Sequence, residues 1–283
     1  MDENRKPRTD LVEDDPFSKA VRPISHSSAR DDGNWRQQHT GPRIVQVQFS
    51  PFTRGFTQTH RPAPVLHKGS FWHFSKTEIR DLGISLVAFS LGLAFVFNGG
   101  VLGGMLSIGP GLILTIPYFF ILGLVAFGPA FIIHELAHKF MARHYGCWAE
   151  FRADSAGLRT GVLIAFFIGF LFMAPGAVMV AGNVNRKQNG RIALAGPYSN
   201  LVLWAIGLPV FLLVGTSGTF GFAVFYWMVA NSVLGAFNML PFGPLDGKKI
   251  KNWSEPVFWS FIAIFAALVY LTMFSAGRAM LGV

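Results

Sequence analysis

Charge is what this sequence has least of. Of its 283 residues, 14% are Asp, Glu, Lys or Arg, against about 25% in an average soluble protein. Twenty-two of those charges fall within the first 80 positions, and four later stretches (82–133, 160–185, 192–245 and 256–277) contain none. A water-soluble domain needs a polar face on nearly every element, and such stretches cannot supply one. Together with 51% hydrophobic residues and 29 Phe, they read as an all-α polytopic membrane protein, each crossing taking about 20 residues. Cysteine is scarce too. Cys147 stands alone, which excludes a disulfide framework and a cysteine-based metal site. Residues 1–35 lack the apolar core of a secretory signal, and eight acidic residues within the first 32 argue against a transit peptide.

The net charge of +9 could suggest a nucleic-acid partner, but the basic residues sit at the ends of apolar stretches. That is the bias of loops facing the cytoplasm, and no nucleic acid is expected. The chain divides into a polar extension, 1–74, and a membrane domain, 75–283. The extension reads as largely disordered to about residue 43, with a short alternating segment over 44–49. Ser75 followed by Glu78 is suited to start a helix. Asn98-Gly99-Gly100 and Gly109-Pro110-Gly111 interrupt the first apolar stretch, giving crossings near 79–97 and 112–133. Residues 215–218 divide the third stretch into crossings near 192–214 and 220–240, and a fifth covers 256–277. The stretch 160–185 is ambiguous, being broken by Pro175-Gly176.

After residue 80 the chain holds three histidines within eleven residues, in Ile133-His134-Glu135-Leu136-Ala137-His138-Lys139 and at His144. Residues four apart share a helix face, separated by about 6 Å along the axis. His134 and His138 can therefore grip one zinc ion, with Glu135 beside it as a base for water. The plainer reading is a chance match with two satisfied polar residues, but an ionisable triplet entering hydrocarbon is functional by default. His144 falls outside the pair and reads as a solvated surface residue. A zinc hydrolase needs a third protein ligand and an open position. Asp246 is our choice because it ends the 54-residue uncharged stretch within Pro241-Phe242-Gly243-Pro244-Leu245-Asp246-Gly247, where a broken helix suits a protein-lined site. It could instead merely open the basic loop of Lys248, Lys249 and Lys251. Glu150, in Glu150-x-x-Ala153-Asp154, is a rival ligand in the manner of another class of membrane metalloprotease. A metal transporter or a proteolytically inactive membrane protein is a further alternative, which the intact Glu135 disfavours.

Topology supplies a separate constraint. With the N-terminus cytoplasmic, the second crossing returns His134 and the basic residues after it to the cytoplasmic side. If 160–185 crossed fully, Arg186, Lys187 and Arg191 would lie outside, and Asp246 would sit a membrane thickness from the histidines. If 160–185 dips in and returns, the basic clusters are cytoplasmic and Asp246 reaches the histidines. The expectation is five transmembrane helices plus a re-entrant element, a short helix followed by a strand around 177–180.

The motifs His134-Glu135-Leu136-Ala137-His138, Gly196-Pro197-Tyr198-Ser199-Asn200 and Asn238-x-x-Pro241-x-x-Pro244-Leu245-Asp246-Gly247 together resemble the site-2 protease family of intramembrane zinc metalloproteases. The resemblance covers roughly residues 75–280. It implies that His134, His138 and Asp246 bind one zinc ion, that Glu135 is the catalytic base, and that Asn200 and Asn238 position substrate or the oxyanion. Helix capping or helix–helix hydrogen bonding is the other reading of those two asparagines. The implied partner is a transmembrane protein substrate in the lipid bilayer of the cell membrane, its peptide bond unwound and held by strand addition along 148–153 or the re-entrant strand. The chain departs from the family in lacking a recognisable PDZ-like insert and in carrying the polar extension.

Overall fold

The computed structural model of the chain describes residues 71–281, apart from 172, 174 and 217. The strand read at 44–49 and the disorder expected before it lie outside the described residues. Among the described residues five helices are long and apolar enough to cross a membrane, as the charge-free stretches require. The fold is an all-α membrane architecture with one small re-entrant sheet.

Helix α1 (Lys76–Phe97) begins where expected, with the Ser75 hydroxyl accepting the Glu78 N–H at 3.1 Å. It ends at Asn98-Gly99, where Gly99 and Gly100 take φ of 71° and 75°, a conformation that glycine adopts without a Cβ penalty. The next crossing differs from the sequence expectation. Helix α2 (Gly100–Ile108), a 3-10 turn at Gly109–Gly111, helix α3 (Leu112–Leu122), a π-turn at Gly123–Phe127 and helix α4 (Gly128–His144) follow one another without a break. Pro110 lies in the first turn of its 3-10 segment, where its missing N–H is not needed. The helix also continues past residue 133 to His144.

Beyond α4 the chain forms strand β1 (Trp148–Ala153), helix α5 (Ser155–Ile168) and strand β2 (Gly176–Ala181). The strands pair antiparallel, with Trp148 opposite Ala181 and Ala153 opposite Gly176. Residues 154–175 thus form the plunging tip of a long hairpin, and the stretch 160–185 re-enters. Asp154 caps α5 by accepting the N–H groups of Ala156 and Gly157. Fourteen residues give α5 a length of about 21 Å, too short to cross about 30 Å of hydrocarbon. It packs along α1, and its end at Gly169 touches the α1–α2 turn so closely that a Cβ there would lie 2.3 Å from the Gly99 carbonyl carbon. On the return path Leu171 and Met173 abut Gly92 of α1, and Met173 abuts Gly161 of α5. The Pro175 carbonyl accepts from the Ser85 hydroxyl (2.9 Å) and the Asp154 N–H (3.3 Å). Irregular backbone at membrane depth is tolerated only when buried and bonded in this way.

Helices α6 (Arg186–Val214) and α7 (Gly218–Asn238), the short α8 (Asp246–Trp253) and α9 (Glu255–Leu281) complete the bundle. An Asn185–Gln188 capping box starts α6. Two apolar clusters form around these helices. One joins Phe89, Leu93, Phe127, Leu158, Met173 and Phe225, and the other joins Trp204, Met228, Met239, Ile250, Phe258 and Phe265. Between membrane helices there is little hydrophobic drive, so close contact depends on small residues. Gly235 shows this, since a Cβ there would fall 2.1 Å from the Phe265 ring.

Candidate metal centre

Three elements meet at one buried point. His134 and His138 project from one face of α4, and Asp246 opens α8, where the chain has left α7 through Leu240-Pro241-Phe242-Gly243-Pro244. Gly247 lets that turn close: a Cβ there would meet the Met239 carbonyl oxygen at 2.0 Å. The two Nε2 atoms lie 3.1 Å apart, and Asp246 Oδ2 stands 3.3 Å from His134 Nε2 and 3.0 Å from His138 Nε2. All three side chains are buried, and they form the metal-compatible group found among the described residues. A tetrahedral zinc ion with bonds of about 2.1 Å holds its ligand atoms roughly 3.4 Å apart, so the spacing fits.

The outer partners orient these ligands. The His134 Nδ1–H donates to Asn200 Oδ1 (2.6 Å) and the His138 Nδ1–H to the Ile192 carbonyl (2.7 Å). Both bonds assign the proton to Nδ1 and leave Nε2 free to ligate. Asn200 is itself held by the Ala130 carbonyl and by Asn231, which donates in turn to the Trp227 carbonyl. Lys249 lies 3.4 Å from Asp246 Oδ1, leaving Oδ2 toward the imidazoles. Burial opposes ionisation of the Asp246 carboxyl, while the Lys249 ammonium beside it favours the charged form. Gly196 on α6 completes the fit, because a Cβ there would lie 2.4 Å from His138 Nε2 and 2.5 Å from His134 Nε2.

Glu135 follows His134 by about 100° around α4 and faces the sheet near Val178 of β2. The other edge of that sheet is closed. Glu78 accepts the Phe151 N–H (3.1 Å), Asp81 accepts the Ala153 N–H (3.2 Å), and Arg143 donates to the Ala149 carbonyl (3.2 Å). Glu78 also pairs with Lys139 at 2.5 Å, with both side chains fully buried, and the Lys139 ammonium lies over the Phe74 ring and donates to the His73 carbonyl.

The remaining residues singled out from the sequence lie elsewhere. Glu150 accepts from Ser75 (2.8 Å) and Arg152 (2.8 Å). Asn238 donates to the Leu234 carbonyl of its own helix at 3.0 Å. His144 is exposed. Sequence reasoning passed over Asn231, Gly196 and the Glu78–Lys139 pair. The available signal for Asn231 was an amide side chain within the charge-free stretch 192–245.

Comparison with known proteins agrees with this geometry. The chain is 36% identical over 202 residues to MJ0611 of Methanocaldococcus jannaschii, provisionally named a zinc metalloprotease, covering 69% of this chain and 93% of the relative. It is 30% identical over 141 residues to YwhC of Bacillus subtilis, covering 43% of this chain and 63% of that protein. It is 32% identical over 133 residues to Rip3 of Mycobacterium tuberculosis, covering 45% and 29% respectively. Both carry the same provisional name. No family model and no solved structure matches.

Proposed function

The chain belongs to the zinc metalloprotease family of these relatives, and from that premise we propose that it is an intramembrane protease of the site-2 type. On this reading it cleaves peptide bonds within or near the transmembrane segments of other membrane proteins. The observation that carries the reading is the cluster of His134, His138 and Asp246 with Glu135 at its side, set among helices apolar enough to span a bilayer.

In this mechanism His134, His138 and Asp246 hold one zinc ion. When bound there, zinc would supply a Lewis acid for the scissile carbonyl and for the attacking water. Glu135 takes the proton from the attacking water and delivers it to the leaving amine. Asn200 keeps His134 aimed, and Gly196 keeps the space into which both imidazoles point. The surrounding helices exclude bulk water, which strengthens every charge interaction at the site.

The substrate is a transmembrane helix, whose amides are shielded until it unwinds. We assign its docking to the edge of β2. The outward groups of β1 are already bonded to Glu78, Asp81 and Arg143, while the outward edge of β2 pairs with no strand among the described residues and lies next to Glu135. Strand addition there brings an extended peptide to the base. The charge rule orients the N-terminus and the metal centre toward the cytoplasm of the cell.

The test is reconstitution of the full chain in vesicles with a single-pass substrate, comparing wild type with Glu135→Gln. Cleavage should fall at least about 100-fold, with zinc content and thermal stability unchanged. Undiminished cleavage by the folded, zinc-loaded variant overturns the assignment of the base.

A further inference from the structure

Away from the metal centre, a groove of about 800 Å³ runs between α4 and α6, within the size range of small-molecule sites. Its α4 wall is Ile133, Ala137, Phe140 and His144. At 100° per residue these form a stripe on the side of α4 opposite Glu135, so the groove is not the cleft that serves the base. The α6 wall is Leu194, Tyr198 and Val202.

One end of the groove is apolar and the other is not. From Ile133 to His144 it spans about 16 Å along α4, close to one leaflet of hydrocarbon. Near the His144 end, Phe140 contacts the rings of Phe71, Trp72 and Phe74, and Trp72 is 68% exposed. Such an aromatic group sits at the membrane–water interface. At this end the groove is bordered by Arg191, His144 and Tyr145, with the Arg191 guanidinium 3.5 Å from the Tyr145 hydroxyl. Lys187, exposed, precedes Arg191 by one turn on the same α6 face.

We propose that this groove binds one anionic phospholipid, its phosphate held by Arg191, His144 and Tyr145 and an acyl chain lying against Ala137, Leu194 and Val202. Cationic donors lie at headgroup depth, with an apolar trough of one-leaflet length beneath them. Basic pockets between transmembrane helices recognise anionic headgroups in this way. The inference requires only that the chain spans a membrane, and it stands apart from the proteolytic reading.

Native mass spectrometry of the delipidated full chain tests it, titrating phosphatidylglycerol against phosphatidylcholine with identical acyl chains and adding inorganic phosphate as a competitor. One phosphatidylglycerol per chain should bind at concentrations where phosphatidylcholine does not. Arg191→Gln should weaken that binding roughly fivefold with helical content unchanged. Val202→Trp, which fills the trough from a lipid-exposed position, should weaken both lipids. Equal binding of the two lipids overturns the proposal, as does a preference that survives Arg191→Gln. A site that inorganic phosphate saturates without lipid, or a dimer abolished by Val202→Trp in place of bound lipid, also overturns it.

Discussion

A histidine ligates well only when its other nitrogen is spoken for, and for His134 that task falls to a side chain, whereas His138 uses the Ile192 carbonyl. The difference makes Asn200 separable by mutation. Asn200→Leu keeps the volume, removes the acceptor for His134 Nδ1–H and strands the Asn231 carbonyl oxygen. Loss of such an orienting partner typically weakens a metal site about 10–100-fold. We expect that loss of zinc affinity in a chelator competition, with α6 and α7 still packed. If Asn200 instead served the substrate, zinc affinity would be unchanged and KM would rise. Asn238, bonded to its own helix, should move neither quantity. The two asparagines look alike in the sequence. Only the distance between helices shows which of them reaches the histidines.

Among elements, α1 and α4 are joined by the buried Glu78–Lys139 pair, which Glu78 ties to the sheet through the Phe151 N–H, and two predictions concern this region. Lys139→Met removes the cation and leaves the Glu78 carboxylate buried with only the Phe151 N–H and any remaining backbone donors. Breaking a buried pair from one side costs about 3–5 kcal/mol, to be read as a large fall in the thermal midpoint. Adding Glu78→Gln keeps an acceptor for Phe151 and should restore most of the loss. The second concerns the free edge of β2. The Phe151 and Ala153 N–H groups point away from β2, so by the alternation of an antiparallel ladder their partners Val178 and Gly176, and likewise Val180, point away from β1. Val180→Pro therefore removes an outward donor while sparing the hairpin's own bonds. Cleavage should drop with zinc content unchanged, and full activity would exclude docking along that edge. The helices were readable in the sequence because absence of charge is a local property. The Glu78–Lys139 pair was not, since its members are 61 residues apart and each, alone, resembles a solvated helix-end charge.

For the whole molecule the decisive question is whether the chain between α4 and α6 crosses the membrane. In a Cys147→Ala background, single cysteines replacing His144 and Lys187 should react with an impermeant thiol reagent from the same side of sealed vesicles. One replacing Thr216, beyond α6, should react from the other. If residues 155–185 crossed fully, 187 would label opposite to 144. This architecture could be anticipated from basic residues and metal geometry, because each separately disfavours a sixth crossing. The placement of Leu171 and Met173 could not, since residues wedged between two helices leave no periodicity to detect. That wedge also bears on how the protein is made. Too short to hold itself in a bilayer, α5 packs on α1 and α2, down to the glycine contact at the turn between them. Synthesis delivers α1 first, and domains tend to fold in the order they emerge. The order in which the ribosome releases these segments therefore matches the order in which they depend on one another, and a chain rearranged to make α5 before α1 would present it to the translocon with nowhere to lodge.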